Sequence, residues 1–210
     1  TGTLLGPTLV VTAAHCTAGN RADLRVVFAP TLENVPADRL RGVAAISRPD
    51  PPPDAASRKA FNNPGDIALI ALDAPAPPDA GFARLTDDPV AGDYAIAGYG
   101  ATSELAAPNA DGKRQLGFDR VLRSATLALT LKDGVLVGDQ SGGRGVCTGD
   151  SGGPAFRAEG DIIRVSGVLI GVSNSRSATD FCRGKAWYVP IARWGDWLVT
   201  AAKSLGVSLR

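Results

Sequence analysis

The chain has 210 residues, and its 22 Lys plus Arg against 21 Asp plus Glu give a formal net charge of +1. This near balance argues against a protein that binds nucleic acids or membrane surfaces, because such proteins carry an excess of basic residues. With 44% hydrophobic and 20% charged residues, the composition is that of a globular protein and not of a disordered one. No apolar run reaches the roughly 18 residues of a membrane-spanning helix. We therefore expect a folded protein with no nucleic-acid partner and no membrane partner.

The apolar segments are short and lie, in chain order, at residues 24–28, 67–72, 94–97, 121–131 and 162–172. Several contain β-branched residues and are bounded by Gly, Pro, Asn or Asp, which is the pattern of an all-β sandwich or barrel. Clusters of Pro, Asp and Gly predict loops over 47–65 and 86–93, and the second loop, near mid-chain, favours two β-domains. The end of the chain differs, because apolar residues recur at helical spacing over 191–205 and Gly206 follows as a stop.

The chain begins with Thr1 and Gly2 instead of Met or a targeting signal, so we expect a processed or truncated start. An odd number of Cys predicts one without a partner; they are Cys16, Cys147 and Cys182. A zinc site is the rival use of these residues, but one His and three scattered Cys offer a poor tetrahedral ligand set. We therefore expect no metal and no cofactor.

The single histidine, His15, lies within the apolar segment 10–16. If the protein is a hydrolase with a serine nucleophile and an imidazole base, His15 is that base, because no other side chain present exchanges a proton so readily near neutral pH. Considered alone, an isolated histidine is more often a structural residue.

A second signal is the glycine-rich segment 149–154, with Ser151 at its centre and Cys147 before it. Glycines beside a serine allow a sharp turn that exposes the hydroxyl and lets backbone N–H groups converge on an oxyanion. The alternative is a glycine-rich turn with an incidental serine. The segment also fits the G-x-S-x-G elbow of α/β-hydrolases, but those enzymes need a His after the Ser and none follows Ser151. A subtilisin needs an Asp before the His, and residues 1–14 contain no acid, so only the order His, Asp, Ser remains.

This order requires an acid between the other two residues, and Asp66 is the candidate. Asp66 directly precedes the apolar segment 67–72, so its carboxylate can be buried. It could then accept the imidazole N–H and stabilise the imidazolium. The alternative is an ordinary turn or strand-edge aspartate.

Three motifs in this order resemble those of trypsin-like serine proteases of the chymotrypsin family. They are T-A-A-H-C at 12–16, D-I-A-L at 66–69 and G-D-S-G-G-P at 149–154, and weaker similarities are Gly98-Tyr99-Gly100 to the family's G-W-G strand and 187–189 to its closing segment. The resemblance covers nearly the whole chain and identifies it as a family member.

The resemblance implies an all-β fold of two antiparallel six-stranded β-barrels with a C-terminal α-helix and the active site in the cleft between the barrels. The first strand or strands of the N-terminal barrel would be missing from the chain. The expected division is an incomplete N-terminal barrel at 1–88, a C-terminal barrel at 89–190, and a helix and tail at 191–210.

Carried over to this sequence, the resemblance implies that His15 is general base and then general acid, that Asp66 orients it, and that Ser151 is the nucleophile. The oxyanion hole would be formed by Gly149 and Ser151. The implied activity is serine endopeptidase with a polypeptide substrate that pairs with a strand edge beside the cleft.

The family also implies a disulfide between Cys147 and Cys182, which leaves Cys16 unpaired and indicates an oxidising, secreted or periplasmic location. In the family a freed upstream α-amino group pairs with the residue that corresponds to Asp150. We therefore expect activity to need an upstream segment.

The primary specificity pocket of the family has its floor six residues before the nucleophile, which here is Gly145, followed by Val146. No acid stands there to receive Lys or Arg. Counting onward without gaps places Ile170, Gly171 and Val172 on the pocket wall, with Ala186 opposite, whereas a shifted register would place 173–175 there. The first register predicts a preference for small or medium apolar residues before the cut. Two acids elsewhere could also reach the pocket, namely Asp139 and Asp180.

Two alternatives stay open. One is a non-catalytic protease homologue that acts as a binding module on the same fold, and the other is a hydrolase of esters or small amides. We further expect a monomer with protein inhibitors as a second class of partner.

Overall fold

The computed structural model describes residues 1–49, 63–86, 90–104, 115–173 and 182–209. Most of its regular structure is β, followed by one α-helix. The elements are β1 (Thr3–Gly6), β2 (Leu9–Thr12), β3 (Arg25–Val27), β4 (Leu40–Ser47), β5 (Ala68–Leu72), β6 (Arg84–Leu85), β7 (Gly92–Gly98), β8 (Ser103–Glu104), β9 (Leu116–Gly117), β10 (Arg123–Lys132), β11 (Val135–Asp139), β12 (Pro154–Glu159), β13 (Ile162–Val172), β14 (Lys185–Pro190) and α1 (Gly195–Ser204).

The N-terminal half is a five-stranded antiparallel sheet in the order β1-β2-β5-β4-β3. Every residue of β2 and β5 is buried, because alternate side chains enter two different apolar clusters on opposite faces. The sheet curves around one of these clusters as a half-barrel whose edges are β1 and β3.

The C-terminal half is a closed barrel. Strands β7, β10, β11, β14, β13 and β12 pair in that order, and β12 also pairs with β7, which closes the ring. All six pairings are antiparallel, and β6 adds a short parallel pairing to β13 from outside. Closure leaves the barrel itself without a free edge. The predicted all-β class with a C-terminal helix is confirmed, as one closed six-stranded barrel and a half-barrel sheet.

The largest apolar cluster lies between the two halves. It combines one face of the N-terminal sheet with the outer face of β13 and β14 and with the buried side of α1, and it includes Leu9, Leu69, Val168, Ile191 and Leu198. Burial of apolar surface at about 25 cal/mol per Å² therefore holds the two halves and the helix as one packed unit.

The strand predictions match β3, β5, β7, β10 and β13 in place, with ends that differ by a few residues. The helix begins at Gly195, because residues Ile191–Trp194 form a 3₁₀ turn. The predicted loop 86–93 is shortened by β7, which starts at Gly92. Residues 50–62 of the other predicted loop and the predicted domain boundary at 88–89 lie outside the described residues.

Candidate active site

His15 and Asp66 are joined by two hydrogen bonds. His15 lies in a 3₁₀ turn directly after β2, and Asp66 lies directly before Ile67 and β5. Since β2 and β5 are paired, with Thr12 opposite Ala68, the ends of the two strands bring these residues together. The Nδ1 atom of His15 is 2.6 Å from Oδ2 of Asp66, and the backbone N–H of His15 donates to Oδ1 at 2.9 Å. Both carboxylate oxygens are thus used to fix one imidazole.

This contact changes the acidity of the imidazole. The hydrogen bond that the imidazole donates to Asp66 raises the pKa of His15 from 6.5 to about 10, assisted by the thiol of Cys16 and opposed by partial burial. The Asp66 side chain is 12% exposed, whereas the His15 side chain is 39% exposed, so part of the imidazole ring stays open to solvent. The arrangement is suited to a base, because the Asp66 carboxylate stabilises the protonated form of the imidazole.

Ser151 lies in a tight turn between a disulfide and β12. Cys147 and Cys182 are bonded with their Cα atoms 5.1 Å apart, which confirms the predicted disulfide, and Cys16 is free. The turn needs glycine, because Gly149 and Gly152 have φ of +96° and +80°, values that other residues rarely adopt.

Gly152 also brings this turn against the N-terminal sheet. A Cβ atom at Gly152 would lie 2.1 Å from Oγ1 of Thr12 and 3.1 Å from the backbone N of Ala13. Ala13 is two residues before His15. The turn that carries Ser151 therefore packs by its main chain on the segment that carries His15.

Two backbone amides of the turn, those of Gly149 and Ser151, have no hydrogen-bond acceptor within the described residues. Over the described ranges, the backbone N–H groups of Gly149 and Ser151 donate no hydrogen bond, whereas those of Asp150, Gly152 and Gly153 all donate to carbonyls. Two unpaired amides on one tight turn are suitable donors for a developing oxyanion.

The turn is held from below by the buried Asp150. Its carboxylate accepts the N–H of Gly100 at 2.7 Å and the N–H of Cys147 at 2.8 Å. Burial raises the pKa of Asp150, and these two bonds oppose the rise. The Asp150 side chain makes no ion pair within the described part of the chain, and the nitrogen of Thr1 instead donates to the carbonyl of Ser151 at 2.8 Å. Gly100 must be glycine here, because a Cβ atom would lie 2.5 Å from the Asp150 carboxylate.

The predicted pocket residues fall into two groups. Val146 and Ala186 share the core cluster of the C-terminal barrel, and Val172 pairs with Ala186 across β13 and β14. Gly145 precedes Val146 on the exposed side of the same loop. Ile170 does not join them, because its side chain packs in the cluster between the two halves. Gly171 pairs with Trp187 at an irregularity in the β13–β14 register.

The other residues considered for the pocket are placed differently. Asp139 is exposed, and hydrogen bonds from the side chain of Ser141 and from its backbone N–H, the latter 2.8 Å long, hold the pKa of Asp139 below its ordinary range. Ser173 extends the β13–β14 pairing, with its hydroxyl accepting the N–H of Lys185. Asn174, Ser175 and Asp180 lie outside the described residues.

The sequence patterns did not indicate Gln140, which is 1% exposed. This buried side chain holds the loop that contains Gly145 and Val146. Its side chain accepts the N–H of Val146 at 2.6 Å and donates to the carbonyls of Val146 and Cys182 at 3.0 and 2.6 Å. A Cβ atom at Gly145 would lie 2.1 Å from Oε1 of Gln140. A polar residue between a strand of apolar residues and a glycine-rich loop is too common a pattern to have indicated this role.

The described residues contain no group of three or more His, Cys, Asp or Glu side chains arranged to hold a metal ion. They also contain no helix with the length and apolar character needed to cross a bilayer.

Comparison with known proteins identifies the family. The family model described as Trypsin matches residues 1–198. A protein named Trypsin from Saccharopolyspora erythraea is 34% identical over 183 residues, which cover 82% of this chain and 73% of that relative. Submandibular glandular kallikrein-9 from Rattus norvegicus is 26% identical over an alignment of 220 residues, which covers 96% of this chain and 80% of that relative. The chain therefore belongs to the trypsin family and is a serine endopeptidase that acts on polypeptides.

Proposed function

We propose that this endopeptidase cleaves peptide bonds through His15, Asp66 and Ser151 by way of an acyl-enzyme. The observation that carries the proposal is the pair of hydrogen bonds, 2.6 and 2.9 Å long, by which Asp66 fixes the imidazole and backbone of His15. The close approach of the Gly152 main chain to Thr12 supports it, because it joins the nucleophile turn to the same segment.

In the acylation step, Nε2 of His15 takes the proton of the Ser151 hydroxyl while Oγ bonds to the carbonyl carbon of the substrate. The carbonyl oxygen becomes an oxyanion, which the amides of Gly149 and Ser151 stabilise. Asp66 stabilises the imidazolium. The C–N bond then breaks, and His15 gives its proton to the leaving amine.

Deacylation repeats the sequence with water. His15 takes a proton from water, the hydroxide oxygen bonds to the acyl carbon, and the bond to Ser151 Oγ breaks. The serine recovers its proton from His15, and the product leaves as a carboxylic acid that ionises.

We also propose a preference for small or medium apolar residues on the amino side of the cut. Val146 and Ala186 lie in an apolar cluster. The polar side chain nearest to Val146 is that of Gln140, which is neutral and whose amide is bonded to backbone atoms of Val146 and Cys182. A cationic side chain would find no carboxylate among these groups. A peptide library should be cleaved after Ala, Val or Leu, and a profile dominated by Arg or Lys would contradict the assignment.

The setting follows from the disulfide. We propose that the protein works as a monomer outside the cytoplasm, where the Cys147–Cys182 bond persists, and that protein inhibitors of such enzymes bind its cleft.

We also propose a division of the chain into an N-terminal unit up to residue 88 and a C-terminal unit from residue 89.

The direct test is covalent labelling with a fluorophosphonate, followed by intact-mass measurement. An activated Ser151 Oγ forms a bond to phosphorus and expels fluoride, which adds one probe to the chain. We expect one adduct on the wild type and none on Ser151→Ala or His15→Ala. An unlabelled wild type would support the alternative of a non-catalytic homologue.

A second measurement separates peptide from ester hydrolysis. We expect turnover of both substrates, with both lost in Ser151→Ala. Turnover of esters alone would contradict the peptidase assignment, although the assignment of Ser151 as nucleophile would stand.

A further inference from the structure

We propose that Trp194 is a positioning residue that holds the turn before Asp66, so that the Asp66 carboxylate faces His15. The inference rests on the proposed roles of His15 and Asp66.

The first observation is a long-range hydrogen bond. The indole Nε1–H of Trp194 donates to the carbonyl of Pro64 at 2.7 Å, between residues 130 positions apart in the chain. Trp194 is the last residue of the 3₁₀ turn before α1, and its ring is half-buried against the apolar cluster between the two halves. A packed ring has little freedom, so its N–H is a fixed donor.

The second observation concerns the turn itself. Within it, the N–H of Gly65 donates to Oδ1 of Asn63 at 3.0 Å, and the N–H of Asp66 donates to the carbonyl of Asn63 at 3.3 Å. For residues 63–66, and within the described ranges, the hydrogen bonds to other parts of the chain come from His15 and Trp194. Trp194 is therefore the structural anchor and His15 the functional partner.

The geometry at His15 is demanding. Asp66 must present one oxygen to the ring and the other to the backbone N–H of the same residue, at 2.6 and 2.9 Å. A rotation or shift of the turn would lengthen at least one bond, and displacements of about 1 Å in a catalytic group can cost about 100-fold in rate. An anchor two residues before Asp66 restricts that shift.

The neighbouring Trp197 supplies a matched control. Its ring stacks edge-to-face on Trp194 with the centroids 5.8 Å apart, and it packs against the same cluster. Trp197 has no hydrogen bond to residues 63–66 among those that the structure describes. Trp→Phe at either position removes a similar volume, but only Trp194→Phe removes the donor to Pro64.

The experiment compares wild type, Trp194→Phe and Trp197→Phe by two readouts. The first is the pH profile of kcat/KM on a peptide substrate. The second is the NMR titration of the imidazole, which needs no assignment because His15 is the only histidine in the chain. We expect Trp194→Phe to lower the plateau of kcat/KM by about tenfold through kcat, with KM unchanged. We also expect the acid limb and the NMR titration to move to lower pH, toward the ordinary histidine value.

Partial unfolding would lower the plateau and add a second imidazole signal that titrates near 6.5, while the signal of the folded protein would keep its titration. An unmoved titration of the folded protein in Trp194→Phe therefore overturns the proposal. An equal shift in Trp197→Phe would also overturn it, because packing would then explain the effect. If Trp194→Phe does not fold, Asn63→Ala takes its place, since it loosens the same turn and should shift the titration in the same direction. A wild type without peptidase activity would reject the proposed function, whereas the NMR titration would still decide the role of Trp194.

Discussion

In the N-terminal half-barrel, His15 and Asp66 are held by a side-chain contact between two strand ends, whereas in the C-terminal barrel Ser151 is held by main-chain geometry. The first arrangement depends on one carboxylate and its orientation. The second depends on glycines with positive φ, on a buried Asp150 that binds two amides, and on a disulfide. The proposed acid–base pair thus depends on one side-chain contact, whereas the position of Ser151 depends on the backbone of its turn and on the groups that hold that backbone.

The largest effect should come from the side-chain contact. Asp66→Asn keeps the shape of the carboxylate but loses its charge, so it should lower kcat/KM by roughly 10³- to 10⁴-fold. The pKa of His15 should fall from about 10 toward 6.5, because the hydrogen bond that His15 donates to Asp66 is the main cause of its rise. The measurement is a pH–rate profile together with the NMR titration of His15. An unchanged titration would show that the pair does not set the acidity of the base.

The next effect tests the disulfide as part of the C-terminal frame. Replacing both Cys147 and Cys182 by Ser releases a loop of 35 residues. The loop-entropy model predicts a loss of roughly 4 kcal/mol in the free energy of unfolding. Urea denaturation measures this loss, and the titration of His15 should be unaffected. A shift in that titration would mean that the disulfide also supports the contact between His15 and Asp66 across the packed interface.

A smaller effect is expected from the support beneath the nucleophile. Gly100→Ala places a Cβ atom 2.5 Å from the Asp150 carboxylate, which must move and so disturb the amides of Gly149 and Ser151. We expect kcat to fall by about 100-fold, with no change in the pKa of His15. The control is Gly81→Ala, where no atom lies within 4 Å of the added carbon. Equal kinetics for the two variants would show that Asp150 does not support the turn.

The smallest effect concerns stability. Because the pKa of His15 is raised by folding, protonated His15 contributes stability that is fully present below about pH 6.5 and lost as the pH rises through about 10. The melting temperature of the wild type should exceed that of Asp66→Asn by a few degrees near pH 6.5, and the difference should shrink toward pH 10. Solvent screening of the partly exposed ring keeps it small. A difference that grows with pH would contradict the sign.

The strands that the sequence predicted best are those whose apolar runs are bounded by turn residues, such as β5 and β13. Strands β1, β2 and β4 were not predicted, because they are short or interrupted by glycine and because their burial depends on partners far along the chain. The three proposed catalytic residues could be selected from residue type and order, since one histidine and one G-D-S-G-G-P segment leave few choices.

The supports of the site could not be predicted in this way. Gln140 and Trp194 act through backbone carbonyls, and a carbonyl is present at every residue, so no sequence pattern marks which one they reach. Ile170 was expected on the pocket wall, but the same alternation along β13 that buries Val168 directs it into the core between the halves. Its place depends on which face of a strand meets which sheet, and that is set by tertiary packing.

Gly152 has a mechanical consequence for the cleft. Where the C-terminal barrel touches the segment before His15, the main chain at Gly152 lies against Oγ1 of Thr12 and the backbone N of Ala13, with no side chain of its own between them. A side chain on the turn could change rotamer and so let the two packed surfaces slide, but the main chain of a glycine has no such freedom. The spacing between the His15 segment and the Ser151 turn is thus set by packing of the main chain, and under the proposed mechanism we expect a cleft that changes little on binding, so that the substrate adapts its conformation to the enzyme.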